Sequence, residues 1–193
     1  MRTFKECDLD GYSEIINDLS HLSLYWPETL QPESNLRKKF AEGGFWNDDF
    51  KILIVTDKEG KFIGEVMSFK TSPNIQGPEL AYRIFREEDM RKGYATEAMR
   101  LFSAFLFRTE PKILRLTLMI RSDNTASIGL AKKCGYKKEG TLRKAEMQSD
   151  GVAHSFELFS LLRDESPKLE VLMNEAREES PTAEAEQDVD PNA

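Results

Sequence analysis

The segment from residue 78 to residue 120 constrains the fold more than any other part of the chain. It starts with the apolar run PELAYRIF (78–85), crosses the charged break REEDM into RKGYATEA (91–98), and ends with ILRLTLMI (113–120). Between the two apolar runs, apolar side chains recur at three- and four-residue steps from Ala95 to Leu106, as in an amphipathic helix. Two strands joined by one such helix predict a parallel crossover.

Three further apolar runs predict strands: FKILIV (50–55), FIGEVMSF (62–69) and SFELFSLL (155–162). The first two are joined by TDKEGK, which suits a tight turn and predicts an antiparallel hairpin. A short strand (TFKEC) and two helices are expected before residue 43, and SDNTAS supplies capping residues for a helix from Asn124 to Gly135. The chain is therefore predicted to be an α/β protein with a mixed central sheet, antiparallel N-terminal strands and a parallel strand-helix-strand crossover in its second half.

Charge is unevenly distributed and suggests how the chain is divided. The formal net charge is −7, but ten acids lie from Asp164 onward against two bases, which leaves 25 bases and 24 acids in residues 1–163. A chain of 193 residues that is 39% hydrophobic is expected to form one domain with its own core. We predict a domain over residues 1–163, a helix within 164–179 and a disordered acidic tail over 180–193.

Several classes of protein are not expected. Charge interrupts every apolar stretch well short of the roughly 20 residues that cross a bilayer, and the N-terminus lacks an apolar signal region, so we expect a cytoplasmic protein without a membrane partner. Cys7 and Cys134 lie in no metal-like spacing, so neither a disulfide framework nor a metal site is expected. The basic residues between 132 and 144 have no interleaved aromatic pattern, which argues against nucleic-acid binding.

Gly93 and the small residues that follow it lie where the predicted central helix begins. A helix N-terminus presents unpaired backbone N–H groups and a partial positive charge, and a glycine there lets a phosphate approach the backbone closely. The alternative is that Gly93 only makes the turn between strand and helix.

Two stretches resemble the Gcn5-related N-acetyltransferases (GNAT). IFREEDMRKGYATEAMRLF resembles the family's acyl-coenzyme A motif, written Arg/Gln-x-x-Gly-x-Gly/Ala. DNTASIGLAKKCGYKKEGTLR resembles the asparagine, serine and glycine-aromatic pattern of the branch that includes ribosomal-protein N-terminal acetyltransferases and many small-amine and antibiotic acetyltransferases. The resemblance covers residues 1–163 and implies acetyl-coenzyme A as acyl donor, with no metal.

The resemblance also implies where the coenzyme lies. The residues at the end of the strand, Ile84, Phe85 and Arg86, are expected to pair with the pantetheine arm. Asn124 and Ser127 are expected near the pantetheine and the sulfur, with helix capping as an equally good explanation of both. Backbone N–H groups of one loop are expected to cradle the pyrophosphate: Arg91, Lys92, Gly93, Tyr94, Ala95 and Thr96.

Two positions depart from the family pattern. Met90 stands where the motif begins with Arg or Gln, so one side-chain contact to the coenzyme is missing. Ala131 stands where many members carry a tyrosine that protonates the departing thiolate, so the acid has to come from elsewhere.

Acetyl transfer to an amine requires a neutral nucleophile. At pH 7 a side-chain amine is neutral in roughly one molecule in 2,000 and an α-amine in about one in seven, so the former needs a strong base. Glu79 in the central strand is the predicted base, with Tyr82 nearby and Ser127 on the second helix as further catalytic residues. Glu65 is a second candidate, and an exposed strand carboxylate is the alternative for both glutamates. A backbone N–H near Phe85 is expected to hold the oxyanion.

The acceptor site is predicted from the N-terminal region, which lines it in the family. Trp26, Trp46 and Glu65 are the predicted substrate-binding residues, because the two indoles would stack on a compact planar acceptor. Core or lid packing is the alternative for the tryptophans. His21 and His154 are isolated, and a lone histidine is more often structural than catalytic.

These features predict a cytoplasmic acetyl-coenzyme A-dependent N-acetyltransferase, monomeric or homodimeric, that acts by direct transfer. The acceptor is expected to be a primary amine of a small metabolite, an antibiotic or an aminoacyl compound, which would include a role in antibiotic resistance. Three alternatives stay open: an acetyltransferase for the N-terminal α-amine of a ribosomal protein, a non-catalytic coenzyme A-binding module, and an interaction protein whose acidic tail recruits a basic partner.

Overall fold

A computed structural model describes residues 1–19, 25, 30–71, 76–147 and 151–178. Trp26, His21 and the tail over 180–193, for which the sequence made predictions, lie outside the described residues.

In the part of the chain described, six strands form one mixed sheet, which confirms the predicted α/β class. Its order is β1-β2-β3-β4-β6-β5, and every neighbouring pair is antiparallel except β3 and β4, which are parallel. The β1–β2 hairpin and the parallel crossover are both present as predicted. The strands are β1 (Phe50–Thr56), β2 (Phe62–Phe69), β3 (Glu79–Ile84), β4 (Arg115–Arg121), β5 (Lys137–Met147) and β6 (Ala153–Leu162).

Within the described residues, five helices surround the sheet. They are α1 (Leu9–Ile16), α2 (Glu33–Ala41), α3 (Tyr94–Thr109), α4 (Thr125–Lys133) and α5 (Leu169–Glu178), with short 3-10 turns at Glu6–Asp8 and Glu87–Asp89. The helix α3 is the connection between the parallel strands β3 and β4. The predicted strand TFKEC is wrong: at the N-terminus only an isolated bridge between Arg2 and Ile54 is formed.

Two hydrophobic cores lie on opposite faces of the sheet. One joins β1–β4 and β6 to α3 and α4 and includes Met99, Phe102 and Leu106 of α3. The other joins the opposite face of β1–β3 to α1 and α2 and includes Leu9 and Leu36. Strands β1–β3 are therefore covered on both faces.

The parallel strands β3 and β4 meet at a single residue pair, Glu79 and Thr117. There the Thr117 N–H donates to the Pro78 carbonyl at 3.1 Å. Beyond this pair β3 continues to Ile84 paired only with β2, so the two parallel strands separate toward their carboxyl ends. Main-chain groups on one side of β3 consequently face a gap inside the sheet.

Strand β5 was not predicted. Apart from Gly140 its residues are exposed, so the segment shows none of the alternation that marks a half-buried strand. Its conformation comes from antiparallel pairing with β6, with two register shifts. Two of its lysines are engaged in ion pairs, Lys137 with Glu165 and Lys138 with Glu157.

Candidate active site

The start of α3 presents an open, positively polarised surface. Gly93 is its N-cap residue with φ +90°, and a Cβ built on it would meet nothing within 4 Å. In the part of the chain that the structure describes, the backbone N–H groups of residues 91–96 have no hydrogen-bond acceptor. Because α3 follows β3, its N-terminus lies at the carboxyl end of β3, where the gap opens. These unpaired N–H groups suit a phosphate, as the resemblance implied.

The turn before α3 is held by a buried carboxylate. The side chain of Asp89 is 4% exposed and lies 3.0 Å from the Lys61 ammonium and 3.4 Å from that of Lys92. Burial alone would raise the pKa of Asp89, but the hydrogen bonds and charges of Lys61 and Lys92 outweigh it and lower that pKa. Lys61 therefore ties the β1–β2 turn to the loop that opens α3.

Arg86 and Phe85 make structural contacts. The guanidinium of Arg86 donates to the Phe62 carbonyl at 3.0 Å. Phe85 is 3% exposed, and its own N–H donates to the Ile63 carbonyl at 2.9 Å, so an oxyanion donor near Phe85 has to come from a neighbouring residue. In an antiparallel pair alternate residues bond to the partner, so the N–H groups of Tyr82 and Ile84 point into the gap instead.

A hydroxyl pair links β3 to α4 beside the gap. The hydroxyl oxygens of Tyr82 and Ser127 lie 2.8 Å apart. Asn124 caps α4, and its side-chain oxygen accepts the Ser127 N–H at 3.0 Å. Burial is the largest influence on the Tyr82 hydroxyl and raises its pKa, so this group stays protonated at neutral pH. The Tyr82 hydroxyl therefore carries its proton beside the gap.

Glu79 lies where the gap begins. It is 9% exposed, and burial raises its pKa to about 7, against a smaller opposing effect of a hydrogen bond with Thr71. A carboxyl group that titrates near neutrality suits general base catalysis. The role of Glu79 as the base stays a prediction.

Glu79 and Tyr82 lie on opposite faces of the sheet, because side chains alternate along a strand. Tyr82 packs against the core that contains α3 and α4, and its neighbour Ala81 packs against the core that contains α1 and α2. Glu79 shares the parity of Ala81 and pairs across the sheet with Phe69, which also packs on the α1–α2 side. The structure thus separates the predicted base from the hydroxyl pair by the thickness of the sheet.

Glu65 belongs to a buried polar cluster on the α1–α2 face. It is 1% exposed, accepts the Tyr12 hydroxyl at 2.7 Å, and lies 3.0 Å from the Arg83 guanidinium. Burial raises the pKa of Glu65 and outweighs the opposing effect of Arg83 and Tyr12. Neither Tyr12 nor Arg83 was predicted, since both partners come from positions distant along the chain.

A cavity of about 480 Å³ adjoins this cluster, between α1, α2 and the sheet. Glu65, Arg83 and Trp46 all contribute to its lining. Trp46 also packs edge-on against Phe105, with ring centroids 6.0 Å apart, so it contributes to packing as well as to the cavity wall.

Ala131 and Cys134, two positions considered in the sequence, are buried in the core. Ala131 is fully buried in the α3–α4 core, and burial raises the pKa of the Cys134 thiol to about 11. Within the described ranges no group of three or more His, Cys, Asp or Glu side chains is arranged to hold a metal ion, and no helix is long and apolar enough to cross a membrane.

Comparison with known proteins agrees with this geometry. The acetyltransferase (GNAT) domain family matches residues 1–137. An acetyltransferase of Yersinia enterocolitica is 26% identical over 148 residues, which cover 74% of this chain and 90% of that protein, and an acetyltransferase of Yersinia pestis is 27% identical over 139 residues, covering 69% and 86%.

Solved structures show the same fold. Spermidine N-acetyltransferase from Vibrio cholerae, crystallised with CoA and spermine, superposes with a TM-score of 0.70 at 19% identity, covering 86% of this chain and 95% of that chain. A GNAT-family acetyltransferase from Bacillus anthracis gives a TM-score of 0.69 at 22% identity, covering 85% and 94%. The chain belongs to the GNAT acetyltransferase family and is an acyltransferase.

Proposed function

We propose that this protein transfers an acetyl group from acetyl-coenzyme A to the primary amine of a small molecule by direct attack. The observation that carries the proposal is the gap between β3 and β4, which has unpaired N–H groups at the start of α3 at its open end and the Tyr82–Ser127 hydroxyl pair along one side.

The residues present fit the coenzyme. The space over Gly93 is open, and the N–H groups of residues 91–96 lack protein acceptors in the described chain, so a pyrophosphate can lie against them. The exposed side chains of Arg91 and Lys92 add positive charge there, which offsets the Arg or Gln contact that is missing at Met90. Within the gap, the N–H groups of Tyr82 and Ile84 are donors for the pantetheine amides and for the thioester oxygen.

Proton transfers are divided between the two faces of the sheet. The acceptor nitrogen forms a bond to the acyl carbon while the carbon–sulfur bond breaks. Glu79 receives the proton that the nitrogen loses, and Tyr82, oriented by Ser127, supplies a proton to the sulfur. Tyr82 thereby replaces the acid that is missing at Ala131, and the acceptor approaches from the face that carries Glu79.

The burial of an ionisable glutamate where the gap begins favours an enzyme over a binding module. A glutamate that served only as a surface charge would keep a low pKa, and burying it at the edge of the gap lowers stability at neutral pH. No comparable feature favours the N-terminal α-amine of a ribosomal protein as the acceptor.

The test is calorimetric titration with acetyl-coenzyme A, combined with a thiol-release assay over a panel of primary amines. We expect micromolar binding by the wild type and its loss in Gly93→Glu, which places a carboxylate beside the unpaired N–H groups. Gly93→Gln is the matched control: it has the same size and the same backbone strain at φ +90°, and we expect it to retain most of the affinity. Equal loss in both variants, or binding without thiol release for every amine, would contradict the proposal.

A further inference from the structure

The cavity of about 480 Å³ on the α1–α2 face is not used by the coenzyme or by the proton transfers. We infer that it binds the apolar body of a monoamine acceptor, an amine with one positive charge and an aromatic or branched aliphatic group. This inference rests on the proposed function, because it names the acceptor class of the same reaction.

The cavity walls are mainly apolar and aromatic. They include Tyr12, Leu36, Phe45, Trp46 and Met67. A cavity of this volume is in the range that encloses a small organic molecule, and aromatic walls favour a planar or branched hydrocarbon group. The lining therefore provides a hydrophobic driving force for a compact apolar group and little for a hydrophilic chain.

The charge of the lining argues against a polyamine. The charged side chains among the described lining residues are Lys39, Glu42, Glu65 and Arg83, whose formal charges sum to zero. Glu65 is buried and its charge is balanced by Arg83 at 3.0 Å. A polyamine carries several ammonium groups, and beyond the Glu65–Arg83 pair the described lining offers them one carboxylate, Glu42, so the others would enter at a large desolvation cost. A monoamine has one ammonium group, which must lose its proton before it can react and can lose it to the predicted base, Glu79.

The cavity lies on the side of the sheet from which the acceptor is proposed to approach. Arg83 belongs to β3, the strand that borders the gap, and its side chain has the same parity as that of Glu79. An acceptor held by its apolar body in the cavity is consequently on the same face as the predicted base.

The experiment compares phenylethylamine and spermidine as acceptors for the full chain with acetyl-coenzyme A, and measures phenylethylamine binding to the coenzyme A-saturated protein by calorimetry. We expect kcat/KM for phenylethylamine to exceed that for spermidine at least tenfold. Spermidine as the better acceptor would overturn the inference while supporting the proposed acetyltransferase. Phenylethylamine binding without its turnover, while another amine is acetylated, would overturn the inference and leave the proposed function standing. Binding without turnover of any amine would contradict the proposed function. Absence of both binding and turnover of phenylethylamine would overturn the inference.

A charge reversal tests the electrostatic part. Lys39→Glu changes the formal charge of the described lining from zero to −2. We expect it to raise kcat/KM for spermidine roughly fivefold, the upper end for an exposed ion pair, with little effect on phenylethylamine. Lys38→Glu is the matched control, because Lys38 is also exposed on α2 and is not a lining residue. An equal response of the two variants would show that only the overall charge matters and would overturn the cavity argument.

Discussion

Glu79 has a carboxyl group whose buried environment brings its pKa close to neutral pH. Burial at the edge of the gap raises its pKa to about 7, so its ionised fraction rises between pH 6 and pH 8. We expect kcat/KM to rise with pH over this interval. In Glu79→Gln the part of this rise that titrates near pH 7 should disappear, leaving only the rise from deprotonation of the acceptor amine, and kcat should fall roughly 10²- to 10³-fold because the base is lost. The measurement is the pH profile of thiol release, and an unchanged profile in the variant would assign the base elsewhere.

The same pKa predicts a change in stability. The pKa of Glu79 is higher in the folded chain than in the unfolded chain, so its contribution is complete at low pH and is lost as pH rises through 7. From the shift we expect a loss of about 3 kcal/mol in the free energy of unfolding between pH 5 and pH 9. Glu79→Gln should lack that component, which urea denaturation at a series of pH values would measure as a growing difference from the wild type.

The role of Tyr82 can be tested by a substitution that removes a single oxygen atom. Tyr82→Phe removes the hydroxyl that lies 2.8 Å from the Ser127 hydroxyl and leaves the ring in the α3–α4 core. We expect kcat to fall about 10²-fold with an almost unchanged Kd for acetyl-coenzyme A, because proton supply to the sulfur is a property of the reaction and not of binding. Thiol-release kinetics and calorimetry separate the two. A parallel rise in Kd would make Tyr82 a binding residue.

At the scale of elements, the turn in front of α3 depends on Asp89. Asp89→Asn weakens its contacts with Lys61 and Lys92, and the loop that carries the N–H groups of residues 91–96 should become less ordered. We expect a several-fold rise in the Kd for acetyl-coenzyme A and a loss of about 1–2 kcal/mol in stability. Glu88→Gln is the control, since Glu88 also pairs with Lys61 but is largely exposed. Similar effects of both variants would show that the order of the loop depends on Lys61 and not on the buried carboxylate of Asp89.

Elements with a clear apolar pattern were predictable from the sequence, and those without one were not. The predicted strands from FKILIV to SFELFSLL form because each carries apolar residues that one or both faces of the sheet bury. Strand β5 lacks such a pattern, because its side chains are exposed and its pairing with β6 alone determines its conformation. Leu114 shows the converse: it is apolar, but it precedes β4 and is 58% exposed.

For the candidate site, local motifs were informative and cross-strand partners were not. Gly93 and Asn124 occupy the helix starts that the sequence indicated. The contacts of Glu65 with Tyr12 and Arg83 depend on strand register and on a residue 53 positions away, which no local pattern contains. Which N–H groups near Phe85 face the gap could not be predicted for the same reason, because alternation along β3 is fixed by its pairing with β2.

At the scale of the whole molecule, α5 adds a packed helix after β6, the last strand of the sheet. Leu172 of α5 is 4% exposed, and Arg100 of α3 lies 3.3 Å from Glu175. We expect Leu172→Ala to lower the free energy of unfolding by about 2–3 kcal/mol through the cavity it leaves. Val171→Ala is the control, because Val171 is 49% exposed and its truncation should cost less than about 1 kcal/mol. Equal small effects would mean that α5 is not docked in solution.

The single pair between Glu79 and Thr117 divides the sheet into two antiparallel units, β1–β3 and β4–β6. Amide hydrogen exchange should report this division directly. In the free protein we expect the N–H groups of Tyr82 and Ile84 to exchange much faster than that of Arg83, which points toward β2. Slow exchange at all three would mean that the two units close in solution. With acetyl-coenzyme A we expect Tyr82 and Ile84 to become protected, so that binding the donor and completing the sheet are one event, observable without any acceptor.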